Sequence, residues 1–120
     1  MCIENSPFTD AVMQVLSSMF SDNRRLFLAW DLAKMYQGDG TVNTKIESFF
    51  VNHVERVREC HLHDRNTEHN HQIIGQGFVD FRRYLSLLSK HPVEYTIEVR
   101  PIENAIKSLT ALRKMLGKSD

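Results

Sequence analysis

What the chain lacks narrows its chemistry first. It has no basic run, and its fifteen Lys and Arg are matched by fifteen Asp and Glu, for a formal charge of zero. A protein that grips DNA, RNA or an anionic membrane needs a concentrated positive surface, so neither a nucleic-acid nor a membrane partner is expected. No apolar stretch approaches the roughly 18 residues of a bilayer span. The N-terminus shows neither the basic start nor the cleavage region of a signal peptide, and a cytoplasmic location is the expectation. The two cysteines, Cys2 and Cys60, have no C-x-x-C spacing and each falls within an apolar run. Buried, reduced thiols follow. These exclusions leave a protein that meets a small molecule or another protein.

What is present is an alternation of strand and helix patterns with no long linker, which implies one domain over residues 1–120. Met1-Cys2-Ile3-Glu4 reads as a short strand, and Ser6-Pro7 as a cap with a first-turn proline. Ala11, Val12, Val15, Leu16 and Met19 recur at three- and four-residue steps and predict a helix that Ser21-Asp22-Asn23 ends. Leu26 to Trp30 is wholly apolar before Asp31, as a strand covered on both faces should be. After the loop Gly38-Asp39-Gly40, Thr44 and Glu47 have the T-x-x-E spacing of a capping box, with Ile46, Phe49, Phe50, Val54 and Val57 on one helical face. Glu59 to Asp64 predicts the third strand. A polar loop from Arg65 to Gln72 follows, then a helix with Phe81, Tyr84, Leu85 and Leu88 on its apolar side. Glu94 to Val99 predicts the fourth strand, and Pro101 opens a last helix that carries Ala105, Leu109, Leu112 and Leu116 and stops at Gly117.

Four β/α units in succession imply a parallel sheet, since neighbouring parallel strands need a crossover helix. Counting back from the strand ends puts Asp31 with Ala29, His61 with Glu59 and Glu98 with Thr96 on one face, and Trp30, Leu62, Tyr95 and Ile97 on the other. A small or polar wall backed by a bulky apolar one suits half of a (β/α)₈ barrel, and the chain is well short of the roughly 250 residues of a whole one. Glu4, Asp31, His61 and Glu98 each stand at the end of one of the four strand-like runs or within its last residues. The ends of successive parallel strands share one rim, so these four side chains are expected to converge as a shell for a divalent ion.

The motifs His61-Leu62-His63-Asp64, His71-x-x-Ile74-Gly75-x-Gly77-x-Val79-Asp80-Phe81 and Ile97-Glu98-Val99-Arg100 before a proline form an ordered set. That set resembles the C-terminal half of the xylose isomerase-like superfamily, which holds sugar isomerases and epimerases, sugar-phosphate isomerase/epimerase proteins and the endonuclease IV type of DNA-repair enzyme. The likeness runs over essentially the whole chain. It implies an α/β fold of four consecutive β/α units, a parallel half-barrel equivalent to strands five to eight of a TIM barrel, with Glu4, Asp31, His61 and Glu98 at the four strand ends. It further implies that these four hold Mn, Zn, Co or Mg, and that the substrate is a small-molecule sugar or sugar phosphate. Glu4 and Glu98 would be the acid/base pair that moves a proton next to a carbonyl, a step that a nearby cation assists. His71 matches a histidine that binds a further zinc in the nuclease branch.

The departures from that pattern carry information as well. Three residues after Asp31, where the nuclease branch has His, stands Lys34, and two before His71, where Asp is usual, stands His69. An ammonium is a poor metal ligand and a good anion partner, so Lys34 is read as a substrate contact, and a multi-zinc nuclease centre is not expected. Arg100 and His71 are read as further substrate contacts. His63, on the face of His61, is read either as a support behind the metal ligands or as a substrate contact. The first four strands of the family have no counterpart here, which leaves two strand edges and the inner positions Cys2, Phe27, Ala29 and Thr96 in need of a partner. The expected assembly is a homodimer, with a separate N-terminal half-barrel chain or a non-catalytic relative as the alternatives.

Overall fold

The structure is a computed structural model that describes residues 1–5 and 8–117. Its elements run β1 (Cys2–Glu4), α1 (Asp10–Met19), β2 (Phe27–Asp31), a 3₁₀ turn (Ala33–Met35), α2 (Thr44–Asn52), a second 3₁₀ turn (Val54–Arg56), β3 (Val57–Leu62), α3 (Phe81–Leu88), β4 (Glu94–Ile97) and α4 (Ile102–Met115). The strands form one parallel sheet in the order β1-β2-β3-β4. The order never reverses, so right-handed crossovers that always advance one way lay every helix on the same face. The core agrees: Leu28, Trp30, Cys60 and Leu62 of the strands share one cluster with Leu16 of α1, Phe50 of α2, Tyr84 of α3 and Leu112 of α4. A doubly wound sheet, which needs helices on both faces, is thereby excluded, and the architecture is compatible with half of a (β/α)₈ barrel.

Several local expectations change. Thr9 caps α1, its Oγ1 accepting from the Val12 N–H at 3.2 Å, whereas Ser6 and Pro7 lie outside the described residues. The capping box at Thr44 does not form. Asn43 is the N-cap of α2 and its Oδ1 accepts from the N–H groups of Lys45 and Ile46, at 3.2 Å each. Asn outranks Thr as a cap, and Glu47 is thereby free to accept from the Tyr84 hydroxyl at 2.5 Å. Helix α2 stops at Asn52, so Val54 falls in a 3₁₀ turn and Val57 opens β3. On α4, Leu112 and Ser108 are buried while Leu109 and Leu116 are exposed, so the predicted stripe is only partly a core face. Cys60 is buried and Cys2 only half so, and both are free thiols. Burial, then a hydrogen bond to Glu59, pushes the Cys2 thiol up to about 11.

The face away from the helices is uncovered, with one exception among the positions thought to need a partner. Ala29 is already buried by its neighbours, while Cys2 and Phe27 are half-buried and Thr96 is exposed. Among the described residues no helix is long and apolar enough to cross a membrane.

Candidate metal centre

The register of the sheet sets the rim. Between β2 and β3 the pairing slips, from Leu28↔Val57 to Ala29↔Glu59, so that Arg58 is an extra residue and Asp31 comes opposite His61. Without that bulge the count would set Asp31 against Cys60, and a one-residue slip turns every following side chain to the other face. At β1 the side chain of Asn5 lengthens the ladder. Its Nδ2 donates to the Asp31 carbonyl at 3.0 Å and its Oδ1 accepts from the Asp31 N–H at 2.7 Å. At β4 the Glu98 N–H donates to the Leu62 carbonyl at 2.9 Å, which fixes Glu98 one step past the strand.

These constraints bring the four strand-end residues together. One ligand atom from each of Glu4, Asp31, His61 and Glu98 lies within 4.8 Å of the other three. His61 Nδ1 stands 3.0 Å from Glu4 Oε1 and 3.7 Å from Glu98 Oε1. A carboxylate can only accept, so the Nδ1 proton points to Glu4. Lys34 belongs to the same cluster, its Nζ 3.2 Å from Glu4 Oε1 and 3.9 Å from Asp31 Oδ2. Three carboxylates in this volume would repel one another in the absence of a cation, and Lys34 meets part of that charge.

Asp31 is wholly buried. Its Oδ1 accepts from the Lys34 backbone N–H at 3.2 Å, and His63 Nε2 lies 3.0 Å from Oδ1 and 3.1 Å from Oδ2. Burial pushes the Asp31 carboxyl up, yet the His63 hydrogen bond and the nearby Lys34 ammonium outweigh it and hold it below the usual carboxylate value. The tautomer of His63 follows from its partners. His63 Nδ1 accepts from the His71 N–H at 3.0 Å, so Nε2 carries the hydrogen given to Asp31. Of the two roles left open for His63, the geometry fits the support behind Asp31, since the ring is only 1% exposed.

His71 has φ +55°, a left-handed conformation uncommon outside glycine, and its ring stacks on His63 with centroids 4.1 Å apart. A second set, His63, His71 and Glu98, also has its ligand atoms within 4.8 Å of one another. Both nitrogens of His63 are already engaged, however, so this trio offers no complete ligand set. Exposed Arg100 lines a cleft of about 610 Å³ with His71, Thr96 and Glu98, directly beside the cluster.

Compared with protein-family models, with curated proteins and with solved structures, the chain matches none.

Two residues that position this rim have no role assigned from the sequence alone, although Asp64 closes the His61-Leu62-His63-Asp64 motif. Asn5 is one, and its only local signal is an amide directly after a strand-ending Glu. The other is Asp64, wholly buried, whose carboxylate accepts from the N–H groups of Arg65, Gly75, Gly77 and Val79 at 2.9 to 3.1 Å. It gathers residues 65–79 into the loop that presents His71. Gly77 permits the approach, because a Cβ there would collide with the Arg65 carbonyl and with Asp64 itself.

Proposed function

We propose that Glu4, Asp31, His61 and Glu98 hold one divalent ion, Mn, Zn, Co or Mg, and that the protein is a half-barrel relative of the xylose isomerase-like enzymes. Its reaction is proton transfer next to the carbonyl of a sugar or sugar phosphate. The observation that carries this reading is the meeting of four ligand atoms from four strand ends within 4.8 Å. Three carboxylates and one imidazole suit hard or borderline divalent ions, so the donor set fits. For the site to load, Lys34 must withdraw from Glu4, as its flexible stem allows, and the His61 hydrogen must move from Nδ1 to Nε2 so that Nδ1, 3.0 Å from Glu4 Oε1 and 3.7 Å from Glu98 Oε1, can face the ion.

Bound there, the ion would polarise a substrate carbonyl as a Lewis acid. The remaining work falls to side chains. Glu98 takes the proton from the carbon next to the carbonyl and later releases it to water, and Glu4, on strand β1, returns one that it has taken from water. His63 holds Asp31 ionised and in place. The cleft beside Glu98 admits the substrate, with Arg100 and a displaced Lys34 placed to meet an anionic end.

One observation favours a second reading, a non-catalytic binding or assembly subunit: Glu4 Oε1 is already engaged by both Lys34 and His61, so the oxygen that would hand a proton to substrate is held by contacts within the protein. Zero net charge and the replacement of metal-ligand positions by Lys34 and His69 leave the nuclease reading without support. Metal-loaded protein incubated in deuterated water with a panel of ketoses and ketose phosphates should exchange the proton next to the carbonyl, as read by NMR. Glu98→Gln should stop the exchange while the circular dichroism spectrum is retained. A silent panel would favour the binding or assembly reading.

A further inference from the structure

The uncovered face and its two flanks say what kind of surface completes this sheet. Among the described residues, β1 and β4 are the end strands of the sheet, and each has a backbone edge that no further strand pairs. The helices beside those edges carry exposed apolar side chains, Val12, Val15 and Met19 on α1 and Ile102, Ile106 and Leu109 on α4. Open edges flanked by apolar helix faces are what a sheet shows when further β/α units are to continue it.

Chemistry on the inner face decides between the possible occupants. Below the metal cluster, Glu59 and Glu94 are direct partners across β3 and β4. Like charges directly opposite each other destabilise a sheet. Among the described residues no Lys, Arg or His forms an ion pair with either. Facing water, the two carboxylates are screened. Closed into a barrel with a second copy, each Glu59 and Glu94 would meet its symmetry mate across a drying lumen, four carboxylates with no cation at that level.

We infer that the sheet is completed by parallel β/α units whose inner face carries Lys or Arg opposite Glu59 and Glu94, and not by a second identical copy. This rests on the half-barrel reading but not on the metal, so it stands or falls separately from the reaction proposed above. The acidic pair then acts as a selector: it disfavours self-closure and favours a cationic lumen.

A charge-reversed copy supplies the probe. The E59K/E94K variant should remain a monomer by light scattering, as should the wild type, while an equimolar mixture of the two should run at twice the 14.0 kDa of one chain. The neutral E59Q/E94Q variant, which removes the repulsion with little change of shape, should self-associate at least tenfold more tightly than wild type. It provides the decisive reading if the lysine variant does not fold. A stable wild-type dimer that the glutamine variant leaves unchanged would overturn the inference, and so would a glutamine variant that stays monomeric.

Discussion

Asp64→Ala should cost this protein on the order of 4 kcal/mol or more, since it strips four backbone N–H groups of their acceptor at once. A hydrogen bond to a charged group contributes roughly 1.5–3 kcal/mol, and a buried donor left unpaired costs about 1–3 kcal/mol. Water can reach some of the freed groups when residues 65–79 relax, so the sum is not fully realised. Against a typical total stability of roughly 5–15 kcal/mol, the loss removes about a quarter of it or more. Asp64→Asn keeps one acceptor oxygen and should lose about half as much by the same reasoning. Urea unfolding followed by circular dichroism reads both values, and a loss below about 1 kcal/mol for the alanine variant would show that the loop is held by something else.

Trp30→Ala should cost roughly 3–5 kcal/mol, the range for removing a large aromatic side chain from a core. Trp30 is fully buried, stacked on Phe50 at 4.8 Å between ring centroids and edge-on to Tyr84 at 5.3 Å. It therefore joins β2 to both α2 and α3. Its indole N–H also donates to Met35 Sδ at 3.1 Å, which ties β2 to the turn that carries Lys34. Trp30→Phe retains a ring in the stack and should lose clearly less. As Trp30 is the only tryptophan, the unfolding must be followed by circular dichroism instead of fluorescence. Equal losses for the two variants would contradict the stacking argument.

Trp30 and Asp64 differ in how far the sequence announces their roles. Trp30 lies in an unbroken apolar run that ends on Asp31, and the two-residue alternation alone turns it to the helix side. The helical stripes of Phe49, Phe50, Tyr84 and Leu85 are legible for the same reason, because a period is a local property. Asp64 is different. Its four donors come from positions 65, 75, 77 and 79, with no period to betray them, and only the folded loop assembles them. The four strand-end residues fall between these cases. Their chemistry and spacing are visible in the chain, but their convergence depends on the bulge at Arg58, which no alternation pattern announces. Asn43 displaces Thr44 as a cap because neighbouring residues compete for one role, and the winner is set by where the backbone enters the helix.

Metal content tests the shared site at the four strand ends most directly. After equilibration with Mn²⁺, Co²⁺ or Zn²⁺ and removal of excess ion by gel filtration, the wild-type protein should retain one ion per chain, and His61→Ala should retain none. The substitution removes the only imidazole of the set and leaves Glu4, Asp31 and Glu98 to repel one another, while the buried core that holds the fold is untouched. Equal metal content in the folded wild type and the folded His61→Ala variant would contradict a shared site at the ends of these four strands.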